Sequence, residues 1–166
     1  GGFTYYKGAS EPSLSLTIHV VSALHELQKA GYEVREDVLK RGLKYIETRT
    51  RYLYQQYPLQ HQESVILAES VLRKVSPETE TVLTPIVASL VKDDVFLSEK
   101  VSSMSLAYLA ILTADRYDQS DKKRVYDAFQ NRIAIDGRGA YLKGNNTKNR
   151  DSYETSIKNT ALALQV

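Results

Sequence analysis

The sequence has no cysteine. This absence excludes disulfide bonds, thiolate metal sites and a cysteine nucleophile from the chemistry of the chain. It also has no apolar run near the roughly 20 residues that a membrane-spanning helix needs, so we expect no direct membrane contact. Neither sign of charge dominates, because 22 basic and 20 acidic side chains leave a net charge of +2. That balance gives no whole-chain argument for binding nucleic acid.

Both ends of the chain lack the features of a complete reading frame. Gly1, Gly2 and Phe3 carry neither a methionine nor the basic and apolar regions of an export signal. At the other end, a predicted helix is still apolar where the sequence stops at Val166. We therefore interpret residues 1–166 as a single helical domain excised from a larger multidomain protein.

Apolar residues recur mostly at helical spacing, which predicts an all-α fold of seven or eight helices. Ser10 or Ser13 can cap the first helix, and Gly31 is suited to end it. The short link from Gly31 to Arg35 predicts that the first two helices pack antiparallel. Further helices are predicted at residues 59–75 and 98–114, and a last one from Glu154, with a loop at residues 137–152. A helix from Pro77 either kinks at Pro85 or restarts there with Thr84 as its cap. A helix from Ser120 places Val125, Phe129 and Ile133 on one side.

Two glycine–tyrosine segments resemble each other without a gap. Residues 1–8 align with residues 137–144, and a polar loop and a helix follow each segment. The identical positions are Gly1, Tyr5, Lys7 and Gly8 in the first segment and Gly137, Tyr141, Lys143 and Gly144 in the second. The likeness predicts two equivalent corners of a helical repeat, in which glycine permits the turn and the aromatic rings fill the gap at the helix ends. Coincidence in a tyrosine-rich chain is the alternative.

These motifs also resemble a known family, the α2-macroglobulin and complement thioester domains, in particular those of bacterial α2-macroglobulin-like proteins. The resemblance covers residues 1–46 and 135–166. It rests on a Gly-Gly-Phe-aromatic-aromatic turn, the helix starting Leu16-Thr17-Ile18-His19-Val20, the turn Ala30-Gly31-Tyr32-Glu33-Val34, and the segments Gly139-Ala140-Tyr141-Leu142 and Tyr153-Glu154-Thr155-Ser156-Ile157-Lys158-Asn159-Thr160-Ala161-Leu162. Between these regions only the helical pattern supports it.

The resemblance implies an (α/α) toroid of antiparallel helical hairpins, of which this chain would be a partial ring. Family members are protease traps, and in many of them a Cys–Gln thioester captures the attacking protease. This chain has no Cys-x-Glu-Gln motif. The thioester motif would therefore lie upstream in the parent, or the parent would belong to the members without a thioester.

Motifs for catalysis and metal binding are incomplete. His25-Glu26 begins a zinc-protease helix motif, but Lys29 stands where its second histidine should be, and His19 would lie on another side of the helix. His61-Gln62-Glu63 lacks the cysteines of a zinc deaminase. Acidic residues that could suggest metal–diphosphate chemistry are Asp93, Asp94, Asp118 and Asp121, which we interpret as helix caps. We therefore predict no catalytic, cofactor-binding or metal residues and no cofactor.

One basic and aromatic stretch runs from Lys40 to Tyr57. It contains Lys40, Arg41, Lys44, Arg49 and Arg51 together with Tyr45, Tyr52, Tyr54 and Tyr57. Such a stretch can hold single-stranded nucleic acid through charge and stacking. Because the net charge is close to zero, we favour a solvated helix face whose tyrosines pack on the next helix, with no nucleic-acid partner.

The sequence thus leads to a non-enzymatic structural and interaction part of an exported α2-macroglobulin-like endopeptidase inhibitor. Its expected partners are the neighbouring domains of the parent and target proteases, in the periplasm or cell envelope. A piece cut from a ring would expose an apolar side, which predicts a homodimer of the isolated fragment. The alternatives are a toroid enzyme of the terpenoid cyclase or prenyltransferase type, and a free-standing helical-repeat binding module.

Overall fold

The computed structural model describes residues 1–137 and 139–143, and this part of the chain is mostly helical. Its elements are the helices α1 (Leu14–Lys29), α2 (Glu36–Gln56), α3 (Pro58–Val75), α4 (Thr84–Val91), α5 (Ser103–Arg116) and α6 (Gln119–Gln130), a π-helical turn (Phe96–Lys100), and the strands β1 (Ile133–Asp136) and β2 (Gly139–Leu142). The prediction of a mostly helical chain is confirmed. The toroid stays a prediction, as does the helix expected from Glu154, which lies outside the described residues.

The chain divides into two compact units, residues 1–87 and 88–166, with α4 running across the boundary. The single domain stays a prediction. No helix within the described residues is both long enough and apolar enough to cross a lipid bilayer.

Helix α1 begins and ends at residues that the sequence identifies. Ser13 is the N-cap, and its Oγ accepts a hydrogen bond of 3.3 Å from the amide of Leu16. After the helix, Gly31 adopts a φ of +88°. The amides of Gly31 and Tyr32 donate to the carbonyls of Gln28 and Leu27, both at 3.0 Å. This pair of bonds is the Schellman termination, which requires a left-handed residue at the position that glycine occupies here.

Helices α1, α2 and α3 pack against one another in the first unit. Only Tyr57 separates α2 from α3, and Pro58 takes the first position of α3, where its missing amide costs no helical hydrogen bond. At Gly42 the two helices α1 and α2 come so close that a Cβ would lie 2.5 Å from Cγ2 of Val21. The core among the three helices includes Val21, Leu39, Ile46, Val65, Ile66 and Ala68, all buried.

The link from α3 to α4 is irregular, so the helix predicted to start at Pro77 is wrong. Thr84 and Pro85 instead open α4, in agreement with the alternative of a restart at this proline. Thr84 is the first helical residue and not the predicted cap, because its hydroxyl donates to Glu69. Arg73, in the last turn of α3, explains the irregular link, because its guanidinium donates to the carbonyls of Pro77 at 3.4 Å and Thr79 at 2.9 Å. These carbonyls would otherwise be available to a helix that continued from Pro77.

Helix α5 starts later than the sequence predicts. The residues before it form the π-helical turn, in which the amide of Val101 donates to the carbonyl of Phe96 at 2.9 Å. Ser102 then caps α5, with its Oγ accepting from the amide of Ser105 at 3.1 Å. The predicted start at Ser98 is therefore wrong by several residues. Val101 ends the π-helical turn and Ser102 caps α5, so one apolar stretch is divided into two elements.

A short β-hairpin follows α6 and corrects two predictions. Ile133 does not continue the buried side of α6: it opens β1, which pairs antiparallel with β2 in the register Ile133 to Leu142. Residues 139–142, predicted as loop, form β2. Within the second unit, Leu142 is buried and Ser103 Oγ donates to the carbonyl of Lys143. The hairpin is thus fastened at its base, while Ile135 near its tip is exposed.

The two glycine–tyrosine segments differ in local structure. Residues 1–8 contain no strand and end in a turn at Gly8, whose φ is +92°. Residues 139–142 are a strand paired with β1. The prediction that the segments form equivalent corners is therefore wrong for the residues that the structure describes. The cause is the alternating sequence of β1, which supplies a pairing partner that the first segment lacks.

Candidate interaction surface

The N-terminal segment, residues 1–12, is fixed to the start of α1 by one buried threonine. The amide of Phe3 donates to Thr17 Oγ1 at 2.9 Å, and the Thr17 hydroxyl in turn donates to the carbonyl of Ser13 at 2.7 Å. A third bond runs from the amide of Ser13 to the carbonyl of Phe3 at 2.9 Å. Because Thr17 has 0% of its surface exposed, its hydroxyl is shielded from water and depends on these two protein partners.

The same segment packs tightly on α2 through its two glycines. A Cβ on Gly1 would lie 2.4 Å from the carbonyl oxygen of Arg41, and one on Gly2 would lie 2.7 Å from Cε1 of Tyr45. The Tyr45 hydroxyl donates to the carbonyl of Pro12 at 2.7 Å. Burial raises the pKa of Tyr45, and the nearby carboxylate of Glu11 adds to the rise against the opposing effect of Arg49. Tyr45 thus serves as the platform on which the segment lies.

Tyr5 and Tyr6 do not fill the gap that the sequence analysis assigned to the aromatic residues of the turn. They are 68% and 71% exposed, so that expectation is wrong for these two rings. Phe3 of the same turn is half-buried, and its Cε2 lies 3.9 Å from the position that a Cβ on Gly42 of α2 would take. The rings of Tyr5 and Tyr6 project from the first unit and enlarge its aromatic surface.

The charges in the first half of the Lys40–Tyr57 stretch are compensated within α2. Three acidic side chains of the same helix pair with its basic ones at one-turn spacing. The pairs are Lys40 with Glu36 at 2.8 Å, Arg41 with Asp37 at 2.7 Å and Lys44 with Glu47 at 3.8 Å. Arg35 also pairs with Asp37 and, as the largest cause, lowers the pKa of that carboxyl. This half is a solvated, self-paired helix face and offers no row of free cations to a phosphate backbone.

The second half of the stretch is different and centres on Arg49. Its guanidinium lies 5.5 Å from the ring centroid of Tyr52 and 3.5 Å from the carboxylate of Glu11. On α3, the ring of His61 lies 6.4 Å from that of Tyr57. Partial burial, together with the charge of Arg49, lowers the pKa of His61. We call Arg49, Tyr52, Tyr57 and His61 the Arg49 face.

Two of the four tyrosines of this stretch do not pack as the sequence predicts. Tyr45 contacts the N-terminal segment through its hydroxyl and its ring. Tyr52 and Tyr57 are more than half exposed, at 52% and 55%. Sequence reasoning did not find the contact of Tyr45 with the N-terminal segment, because only the fold reveals which part of α2 that segment covers.

The histidine candidates stand apart in separate environments. His19 Nδ1 lies 2.8 Å from the carbonyl of Ser15 in its own helix. His25 Nδ1 is buried without a hydrogen-bond partner among the described residues, and Glu26 beside it pairs with Lys74 of α3 at 2.9 Å. Lys74 is the largest cause of the lowered pKa of Glu26. Within the described residues, no group of three or more His, Cys, Asp or Glu side chains could hold a metal ion.

Three of the four aspartates have side chains with local structural roles in the second unit. Asp93 Oδ1 accepts from the amide of Phe96 at 3.0 Å, and Asp118 caps α6 by accepting from the amide of Asp121 at 2.8 Å. Asp94 pairs with Arg124 at 3.2 Å. This arrangement agrees with the interpretation of Asp93 and Asp118 as helix caps. It gives no support to a metal–diphosphate site, which requires convergent carboxylates.

A buried ion pair in the first unit escaped the sequence analysis. Glu69 and Arg73, one turn apart on α3, pair at 2.9 Å with their side chains almost entirely buried. Thr84 Oγ1 donates to Glu69 Oε1 at 2.8 Å, Arg73 donates to Thr84 Oγ1 at 2.8 Å, and Thr81 Oγ1 donates to Glu69 Oε2. Every group in this network has a partner, so it fastens the start of α4 to α3 and presents no open position to a ligand.

No known family model matches the sequence, and no curated protein matches it closely enough to count as a relative.

Proposed function

We propose that this chain is a structural and interaction part of the thioester-type domain of an α2-macroglobulin-like endopeptidase inhibitor, with no chemistry of its own. It would act by packing against neighbouring domains of an exported parent protein, in the periplasm or cell envelope. It would move with them when a target protease cleaves the parent. The absence of cysteine means that any thioester would come from elsewhere in the parent.

One observation carries the proposal: the hydrogen bond from the amide of Phe3 to Thr17 Oγ1. It joins the Gly-Gly-Phe turn to the Leu-Thr helix, the two motifs on which the resemblance over residues 1–46 rests. The close contacts of Gly1 and Gly2 with α2 give a physical reason for the glycines, since any side chain there would collide with Arg41 or Tyr45. The left-handed conformation of Gly31 does the same for the Ala-Gly-Tyr turn.

The second region of resemblance adds nothing to this support. Residues 139–142 form a strand, and the following motif at residues 153–162 lies outside the described part of the chain. The proposal therefore depends on the first region alone. A toroid enzyme has no supporting observation, because Asp93, Asp94 and Asp118 are engaged in caps and in an ion pair.

The test uses the complete reading frame that encodes this chain. Its product is incubated with several proteases, and residual activity is measured on a small peptide substrate and on a large protein substrate. A trap blocks large substrates by enclosure and leaves the protease active site open, so activity should be lost on the protein and kept on the peptide. Equal activity on both substrates would refute the inhibitor role. A reading frame with a start codon beside Gly1 and no other domains would favour the binding module instead.

The expected homodimer of the isolated fragment also remains a proposal. Leu59, 76% exposed, and Ile135, 82% exposed, give apolar surface to each unit. Sedimentation at increasing concentration tests it, and a monomer at the highest concentration would count against a ring cut open.

A further inference from the structure

One face of α2 is covered by the N-terminal segment over only part of its length. Arg41, Tyr45, Arg49 and Tyr52 follow one another at spacings of four, four and three residues, which places them on one face of the helix. Gly1 lies against Arg41, Gly2 and Pro12 lie against Tyr45, and Glu11 reaches Arg49. Beyond Arg49 the coverage ends, and Tyr52 is more than half exposed.

The open part of this face continues onto α3. Tyr57 and Leu59 are both more than half exposed, and half-buried His61 lies beside Tyr57. Tyr57 and His61 on one side and Tyr52 on the other thus place aromatic rings around Arg49, whose guanidinium lies 5.5 Å from the Tyr52 ring and whose charge acts on His61. Interfaces use this combination repeatedly, because tyrosine offers a large contact area at a small cost in conformational entropy.

The positive charge at the border of this area is weakly compensated. Glu11 contacts Arg49 at 3.5 Å, through one guanidinium nitrogen, and its own side chain is largely exposed. This geometry is far from the short, two-pronged pair that arginine and carboxylate form when they bind strongly. A second carboxylate could therefore replace Glu11 on Arg49 at little cost.

We propose that the Arg49 face binds an extended acidic segment of another protein, with a carboxylate of that segment replacing Glu11 on Arg49 and an apolar side chain covering Tyr52. The chain's own Glu11-Pro12 shows how such a segment would bind, because Glu11 places a carboxylate on Arg49 and the carbonyl of Pro12 accepts from the Tyr45 hydroxyl. A phosphate backbone fits less well, because Lys40, Arg41 and Lys44 are already paired with acids of α2. This inference does not rest on the inhibitor role.

The experiment uses the chain labelled for NMR and an acetylated peptide of repeating Glu-Leu-Pro, with a Gln-Leu-Pro peptide as the uncharged control. We expect the imidazole signals of His61 and the ring signals of Tyr52 to shift with the acidic peptide only. Arg49→Gln should weaken binding by about tenfold, the range for losing a charge-assisted hydrogen bond. Arg51→Gln removes the same charge from the same helix outside the face, so it should leave the affinity within about twofold, as expected for an exposed charge.

The sharpest arm of the experiment is Glu11→Gln. If the chain's own carboxylate competes for Arg49, its removal should tighten peptide binding by about threefold to tenfold at low ionic strength. No tightening, or an equal loss for Arg49→Gln and Arg51→Gln, would overturn the proposal. Tighter binding of a thymidine oligonucleotide of similar charge would assign the face to nucleic acid. Shifts that depend on protein concentration without peptide would assign it to a second copy. Should Arg49→Gln fail to fold by circular dichroism, the Glu11→Gln arm decides alone.

Discussion

Thr17 and Thr50 provide a matched pair of substitutions with opposite expected effects. Both threonines are helical, both belong to the first unit, and both have 0% of their surface exposed. The Thr17 hydroxyl accepts from the amide of Phe3 and donates to the carbonyl of Ser13. Thr50 Oγ1, by contrast, is buried with no hydrogen-bond partner among the described residues. Replacement by valine keeps the shape and the helix propensity of either residue, so the difference isolates the hydroxyl.

The magnitudes follow from the hydrogen bonds alone. Thr17→Val leaves the Phe3 amide without its partner, which should lower the free energy of unfolding by about 1–3 kcal/mol. Thr50→Val removes a buried polar atom that gains nothing in the fold, so the free energy of unfolding should stay the same or rise by up to about 1 kcal/mol. We therefore expect the two variants to differ by about 2 kcal/mol in stability.

Urea unfolding followed by far-ultraviolet circular dichroism measures both variants under the same conditions, and unchanged m-values would show that the unfolded states are comparable. Amide exchange adds a local measure: Thr17→Val should speed exchange at Phe3 and leave the interior of α3 protected. Equal destabilisation by the two substitutions, or a larger loss for Thr50→Val, would refute the reasoning. The same urea series on the double variant should give the sum of the single effects, because the sites share no partner.

Three further predictions concern residues of the first unit. Gly2→Ala should cost about 1–3 kcal/mol of stability because its Cβ would collide with Pro12 and Tyr45. As a control from the second unit, Gly137→Ala, whose Cβ would meet no described atom within 4 Å, should cost close to nothing in the same urea assay. Arg73→Met should cost about 3–5 kcal/mol by leaving a buried carboxylate unpaired, while Lys74→Met should cost less than about 1 kcal/mol because that ion pair is half exposed. Because the fold lowers the pKa of His61, the unfolded chain binds a proton at this side chain at a higher pH than the folded chain does. The free energy of unfolding should therefore fall as the pH drops below about 6.5. His61→Gln should remove that part of the loss, as measured by urea midpoints at a series of pH values.

Elements with local signals could be predicted from the sequence, and those that depend on distant partners could not. The cap at Ser13 and the termination at Gly31 involve residues within five positions of each other, and both were found. The network of Glu69 includes one local signal, the i,i+4 spacing to Arg73. Its other partners, Thr81 and Thr84, are 12 and 15 residues away, and no sequence pattern brings them to α3.

The hairpin shows how a correct periodicity can mislead. Ile133 lies four residues after Phe129, so it extends the apolar side of α6 in sequence. In the structure α6 ends at Gln130, and the alternation of residues 133–136 competes with the helical spacing. Four residues are too few to distinguish the helical spacing of apolar residues from the alternation of a strand. The pairing with β2 decides for the strand, and an analysis of local spacing does not include that partner.

The basic residues of α2 were interpreted from the sequence as a solvated helix face, and the structure agrees for the first half of the stretch. The Lys40–Tyr57 stretch contains five basic residues, of which three pair with acids of the same helix, so a count alone overstates the free positive charge. What remains is Arg51 and the poorly paired Arg49. On α2, the N-terminal segment makes two kinds of contact: its glycines pack closely at Arg41 and Tyr45, and the carboxylate of Glu11 contacts Arg49 weakly. Only the second can be exchanged without disrupting the fold, which is why the Arg49 face, and not the glycine contact, is the place where this unit can recognise a partner.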